Sequence, residues 1–188
     1  MHKKKELQAI LNMTLRSPKE EGYGFDPEET GSTFHENAIL KAKELQKLLG
    51  KEEPVIADDS GLCLDALGGK PGVLTAVYGM ENGNKLTSYQ QNIQLLEELG
   101  DNPVRTARFV CTMVLLLSNE RFFIVQETLE GEIVKKSEMR GDGGFGYDPI
   151  FLIPQFGRTL AELSADEKNS ISHRGKAGKL ISEFLNEI

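Results

Sequence analysis

Apolar residues recur along this chain at two spacings, and the alternation between them sets the fold class. Leu7, Ile10 and Leu11 share one face of a short helical pattern over residues 3–11. A second helix is predicted over 34–49, where Ala38, Ala42, Leu45 and Leu49 recur at helical spacing and Gly50 supplies the stop. A third covers 86–99, with Leu86, Tyr89, Ile93 and Leu96 turned inward and Gly100 behind it. The last carries the stripe Ala177, Leu180, Ile181, Phe184 and Leu185, with Ser172 ahead of it as a cap. Between these lie extended runs. Pro54-Val55-Ile56-Ala57 reads as a short strand that ends on Asp58-Asp59, and Leu62-Cys63-Leu64 reads as a second piece. Residues 107–117 and 122–129 form a hairpin pattern, a further strand over 132–136 comes after a Glu130-Gly131 turn, and Ile150-Phe151-Leu152-Ile153 is one more strand. Residues 12–33, rich in Gly, Pro and acids, read as loop. Helices interleaved with strands predict an α/β fold with a mixed sheet, and no repeat or low-complexity linker divides residues 1–188 into separate domains.

Composition narrows the setting. The longest apolar run, residues 113–117, is far too short to span a bilayer, and the basic start of the chain has no apolar stretch behind it. Two cysteines, Cys63 and Cys111, make neither a CxxC pair nor a disulfide framework, so a reducing, cytoplasmic setting is expected, with no membrane partner. Twenty-two basic residues against twenty-nine acidic ones leave a net charge of −7, a sign that repels nucleic-acid backbones. A polyanionic substrate must then be met by a local basic cluster or a divalent metal.

Two tempting motifs fail. Gly141, Gly143 and Gly146 match GxGxxG, but the motif leads through Tyr147-Asp148-Pro149 into a strand pattern, whereas a dinucleotide fingerprint must open a helix. His35-Glu36 has no second histidine at Ile39, so it is no zinc-protease helix. Three clusters remain. Asp58-Asp59-Ser60-Gly61 is either a β-turn favoured by its residue types or a pair of adjacent carboxylates that a hard cation such as Mg²⁺ would relieve. Gly143-Gly144-Phe145-Gly146-Tyr147-Asp148-Pro149 is either a tight turn with core aromatics or a loop offering a flat apolar surface to a base. Lys168, His173 and Arg174 stand near the start of the last helix, where the macrodipole disfavours cations; they are solvated or assembled around an anion or carbonyl.

Taken in order, these segments resemble the inosine triphosphate pyrophosphatase family over essentially the whole chain. The resemblance is carried by Glu29-Thr30-Gly31-Ser32-Thr33-Phe34-His35-Glu36-Asn37-Ala38, Asp58-Asp59-Ser60-Gly61-Leu62, Ala66-Leu67-Gly68-Gly69-Lys70-Pro71-Gly72-Val73, Ala107-Arg108-Phe109-Val110-Cys111, Gly144-Phe145-Gly146-Tyr147-Asp148-Pro149-Ile150-Phe151 and Lys168-Asn169-Ser170-Ile171-Ser172-His173-Arg174. It implies an elongated, two-lobed α/β fold with a long mixed sheet, flanking helices and a central cleft, in a cytoplasmic homodimer. It also implies a Mg²⁺-dependent hydrolase that converts ITP, dITP or XTP to the monophosphate and pyrophosphate. By position, Asp59 resembles the catalytic proton acceptor, and Glu29, Asp58 and Asp59 the metal site. Lys3, Lys41 and Ser60 resemble phosphate and substrate contacts; Phe145, Gly146, Tyr147 and Asp148 the base loop; Lys168, His173 and Arg174 the groups around the purine. Lysine and arginine are donor-only and so suit a 6-oxo group, an acceptor, better than an amino group.

Two departures stand out. Val77 occupies a place where many members carry arginine, which bears on packing or dimer contacts. Lys3-Lys4-Lys5-Glu6-Leu7 fits the Lys-x-x-Glu-Leu half of the family's phosphate loop, so the resemblance places the first strand and the rest of that loop ahead of Met1. Two neighbouring functions stay open beside the leading one: a related enzyme acting on another modified nucleotide, and a nucleotide-binding protein without turnover.

Overall fold

A computed structural model describes residues 2–50, 53–80 and 83–187; the expectation attached to Met1 lies outside them. The elements are α1 (His2–Leu11), α2 (Phe34–Leu49), β1 (Val55–Leu64), α3 (Ser88–Leu99), β2 (Thr106–Ser118), β3 (Arg121–Ile133), β4 (Phe151–Ile153), β5 (Arg158–Thr159), α4 (Ala165–Ile171) and α5 (His173–Asn186). The strands form one five-stranded sheet in the order β1-β2-β3-β4-β5, with β3–β4 and β4–β5 antiparallel. The α/β class is as expected.

The chain divides into two compact units. The first comprises Met1–Ser60, Val110–Glu127 and Ile171–Ile188. Alternation along β2 gives it two apolar layers. Cys111, Met113 and Leu115 face Leu7 and Leu11 of α1 and Ala177 and Ile181 of α5. Val114 and Leu116 face Ala38 and Ala42 of α2 and Val55 of β1. A strand covered on both faces has no polar alternation to show, which is why its sequence reads as an unbroken apolar run. Phe123 and Phe184 stack at 4.4 Å over the first layer. Helix α2 matches its expected span because both ends carry signals. Thr33 and Glu36 form a capping box, and Gly50 closes the helix in the left-handed conformation at φ 67°.

The second unit comprises Gly61–Phe109 and Thr128–Ser170. Its core pairs Phe109 with Phe151, ring centroids 4.7 Å apart. The Arg105 guanidinium donates to the carbonyls of Ile133 and Val134 at 2.6 and 2.7 Å and pins the end of β3.

Three expectations are corrected. First, β1 runs unbroken from Val55 to Leu64, so Asp58 and Asp59 lie inside a strand and not at its end or in a turn. Ion pairs to both carboxylates override their turn preference. Second, no turn separates the expected strands at Glu130-Gly131, because β3 continues to Ile133. Gly131 is there for close approach: a Cβ on it would lie 2.5 Å from the Leu152 carbonyl oxygen of β4. Third, α3 begins at Ser88, where Thr87 and Gln90 form a capping box. The buried face is Gln91, Asn92, Leu95, Leu96 and Leu99, while Tyr89 is 61% exposed. Gln91 and Asn92 turn inward because their amides donate to the carbonyls of Tyr78 and Gly146, partners that a hydrophobic count does not register.

Candidate active site

In the first unit the candidate residues form two groups, one on each face of β1. Successive side chains of a strand point to opposite faces, so Asp58 and Asp59 are adjacent in sequence and separated in space.

The Asp59 group is built on α2. Gly31 leads into this helix; its N–H donates to the Asn37 side-chain oxygen at 2.8 Å, and a Cβ on Gly31 would lie 2.6 Å from that oxygen. Asn37 and Lys41 stand one helical turn apart and face the same way. Asn37 Nδ2 donates to Asp59 Oδ2 at 3.4 Å, and Lys41 Nζ donates to Asp59 Oδ1 at 2.7 Å and to Glu29 Oε1 at 3.2 Å. Burial pushes the Asp59 carboxyl above its ordinary value, Lys41 and Asn37 oppose the shift, and the Glu29 charge adds to it. For Lys41, burial acts to lower its value, but the charges of Asp59, Glu29 and Asp58 outweigh burial and the net shift is upward.

The Asp58 group lies on the other face. Asp58 Oδ2 accepts from Lys3 Nζ at 3.1 Å, Ser60 Oγ at 2.8 Å and Arg174 Nη2 at 3.2 Å. Arg174 Nη1 donates to Glu6 Oε2 at 2.8 Å, and Nη2 also reaches Ser60 Oγ at 3.4 Å. Burial alone would raise the Asp58 carboxyl, but the Lys3 and Arg174 charges and the Ser60 hydroxyl hold it well below the usual carboxylate range. Ser172 caps α5, as expected, by accepting from the Gly175 N–H at 3.0 Å; His173 and Arg174 come next, both buried.

In the second unit the glycine-rich loop winds around Asp148. Its Oδ2 accepts from the Phe145 N–H at 2.7 Å and from Lys168 Nζ at 2.6 Å, and Lys168 lies 4.4 Å from the centroid of the Phe145 ring. Gly144, at φ 72°, permits this path; a Cβ there would lie 2.1 Å from Asp148 Oδ2. Tyr147 is a core residue whose hydroxyl donates to the Thr75 carbonyl at 3.4 Å, and burial pushes its phenol upward. Asn92 Nδ2 holds the Gly146 carbonyl at 3.2 Å.

Lys41, Glu29 and Asp59 are thus brought together, as are Lys3, Asp58, Ser60 and Arg174, and in the second unit Phe145, Gly146, Tyr147, Asp148 and Lys168. Of the three carboxylates expected at a metal, Glu29 and Asp59 share the Lys41 ammonium and Asp58 does not. Asp58 faces away from Asp59 and has its own cations. Among the described residues no three His, Cys, Asp or Glu side chains converge on a metal seat. Asn37 and Glu6 had no role in the sequence reading. The i, i+4 spacing of Asn37 and Lys41 was a signal for the first, and the Lys-x-x-Glu-Leu pattern held the second without giving it a role.

Comparison with known proteins gives the family of the chain. A profile described as the Ham1 family matches residues 1–184. A curated dITP/XTP pyrophosphatase of Treponema denticola is 50% identical over 186 residues, covering 98% of this chain and 94% of that protein. One from Bacillus subtilis is 42% identical over 97% of this chain and 91% of its own length. The structure of a HAM1 protein from Coxiella burnetii is similar with a TM-score of 0.86 at 41% identity, covering 100% of this chain and 94% of the other. The Staphylococcus aureus Ham1 structure has a TM-score of 0.85 at 38% identity, with the same coverage.

Proposed function

The chain belongs to the Ham1 family, and from that premise we propose that it hydrolyses non-standard purine nucleoside triphosphates, dITP, ITP and XTP, by the reaction NTP + H₂O → NMP + pyrophosphate. The observation that carries the reading is the Lys41 ammonium held between Asp59 and Glu29. That bridge marks a cation seat with hard oxygen donors, and two carboxylates suit a Mg²⁺ ion that keeps waters and takes its other ligands from phosphate. Asp59 and Glu29 would hold the ion; when bound, it supplies charge neutralisation on the departing pyrophosphate.

The chain's own groups do the rest. Asp59 orients the attacking water and accepts its proton; burial, by lifting its carboxyl, makes it a better base. Asn37 and Lys41 fix the carboxylate in one orientation. Lys41 and Lys3 meet the phosphates and Ser60 contacts the substrate. Phe145, Gly146, Tyr147 and Asp148 receive the base, and Lys168, His173 and Arg174 supply donors for its oxo groups. The whole chain serves as one pyrophosphatase domain, in the cytoplasm and as a homodimer. Leu74, Val77 and Met80, exposed apolar side chains along one short segment, favour pairing with a second copy. Among the described residues no helix is long and apolar enough to cross a membrane.

Product analysis tests the reading. With Mg²⁺, dITP and XTP should yield the monophosphate and pyrophosphate in equal amounts. Orthophosphate and a diphosphate as first products would overturn it.

A further inference from the structure

We infer that Asp58 is a positioning residue, the hub that fixes the Arg174 guanidinium and the Lys3 ammonium for substrate, and not a metal ligand. The inference rests on the proposed reading in which Arg174 and Lys3 meet the nucleotide.

One oxygen of Asp58 accepts from three donors, Lys3, Ser60 and Arg174. Around it the charges alternate: Lys3, Asp58, Arg174, Glu6, with Lys3 and Glu6 one turn apart on α1. The helix packing makes that chain possible. Glu6 and Ile10 stand at i and i+4 on α1, and Arg174 and Gly178 stand at i and i+4 on α5. A Cβ on Gly178 would lie 2.6 Å from Ile10 Cγ2, so the glycine lets the two helices approach. One turn away, Glu6 meets Arg174 at 2.8 Å. Two carboxylates therefore hold the two terminal nitrogens of one guanidinium from different elements, α1 and β1. The Arg174 side chain is only 4% exposed and that of Asp58 8%, so neither charge has solvent to fall back on. A cation held this way stands at a set place and angle, which is what recognition of a planar oxo-purine or a phosphate oxygen requires. Asp59 has no part in this group, since its own oxygens are engaged by Asn37 and Lys41 on the other face.

The test is Asp58→Asn in the full chain, with dITP turnover measured across a Mg²⁺ titration. The expected result is a KM raised roughly tenfold or more, kcat within a few-fold of wild type, and an unchanged Mg²⁺ concentration for half-activation. A KM that is unchanged or lowered overturns the inference, and so does a Mg²⁺ requirement that rises with the loss of activity. A second readout needs no turnover. The Arg174 Nη protons should be resolved by NMR in the wild-type protein and averaged in the variant; resolved protons in both overturn the inference even if dITP is not the substrate. If Asp58→Asn does not fold, Glu6→Gln loosens the same guanidinium from the α1 side. It should shift KM and the Nη signals in the same direction, and no shift in either counts against the inference.

Discussion

At Asp59 a single charge engages Lys41 and Asn37 and, in the proposed reaction, orients the attacking water. Asp59→Asn keeps the size of the side chain and removes that charge, so kcat for dITP should fall by roughly 10²-fold or more while the fold survives. Near-normal kcat in a folded variant would contradict the assignment. The thiols make a second residue-scale prediction. Burial pushes Cys111 up to about 12. A raised value means less thiolate at any given pH, so at pH 9 Cys111 stays almost wholly protonated while most of an ordinary thiol is ionised. Iodoacetamide at pH 9 should therefore leave Cys111 unmodified in the native protein and alkylate it once urea unfolds the chain; mass analysis of the peptides distinguishes the two. At this scale much of the site was legible from residue types, because carboxylates, lysines and glycines grouped in order leave few readings. What stayed hidden was direction. Asp58 and Asp59 look like one acidic pair in the sequence, and only strand geometry separates them into a partner of Lys41 and a partner of Arg174.

Among the elements, helices were legible where cap and stripe agreed, as in α2, and shifted where they did not, as in α3. There Leu86 fits the apolar spacing but lies ahead of the Thr87 cap, and the polar Gln91 and Asn92 are buried on backbone carbonyls. Strand ends were harder to read. Glycine and aspartate read as turn residues, yet β1 passes through Asp58-Asp59 and β3 through Gly131 because cations and a close neighbour are there to meet them. The role given to Gly131 can be measured. Gly131→Ala puts a methyl group into the space of the Leu152 carbonyl, so β4 must move, at a cost of about 1–3 kcal/mol. A lower urea midpoint with an unchanged m-value is the expected result; an unchanged midpoint would mean that the contact is not there.

For the molecule as a whole, a net charge of −7 and a triphosphate substrate repel each other. Binding must therefore depend on local cations and a divalent ion, and chelation should abolish turnover. The fold should be left intact, since Lys41 already neutralises Asp59 without a metal; circular dichroism before and after EDTA checks this. The central claim is that these residues select a 6-oxo purine and cleave between its α- and β-phosphates. Competition tests it most directly: dITP and dATP at equal concentration in one reaction with Mg²⁺, resolved by chromatography. The account predicts that dITP is converted to dIMP while dATP remains. Equal consumption of the two nucleotides, or dIDP as the first product, would contradict it.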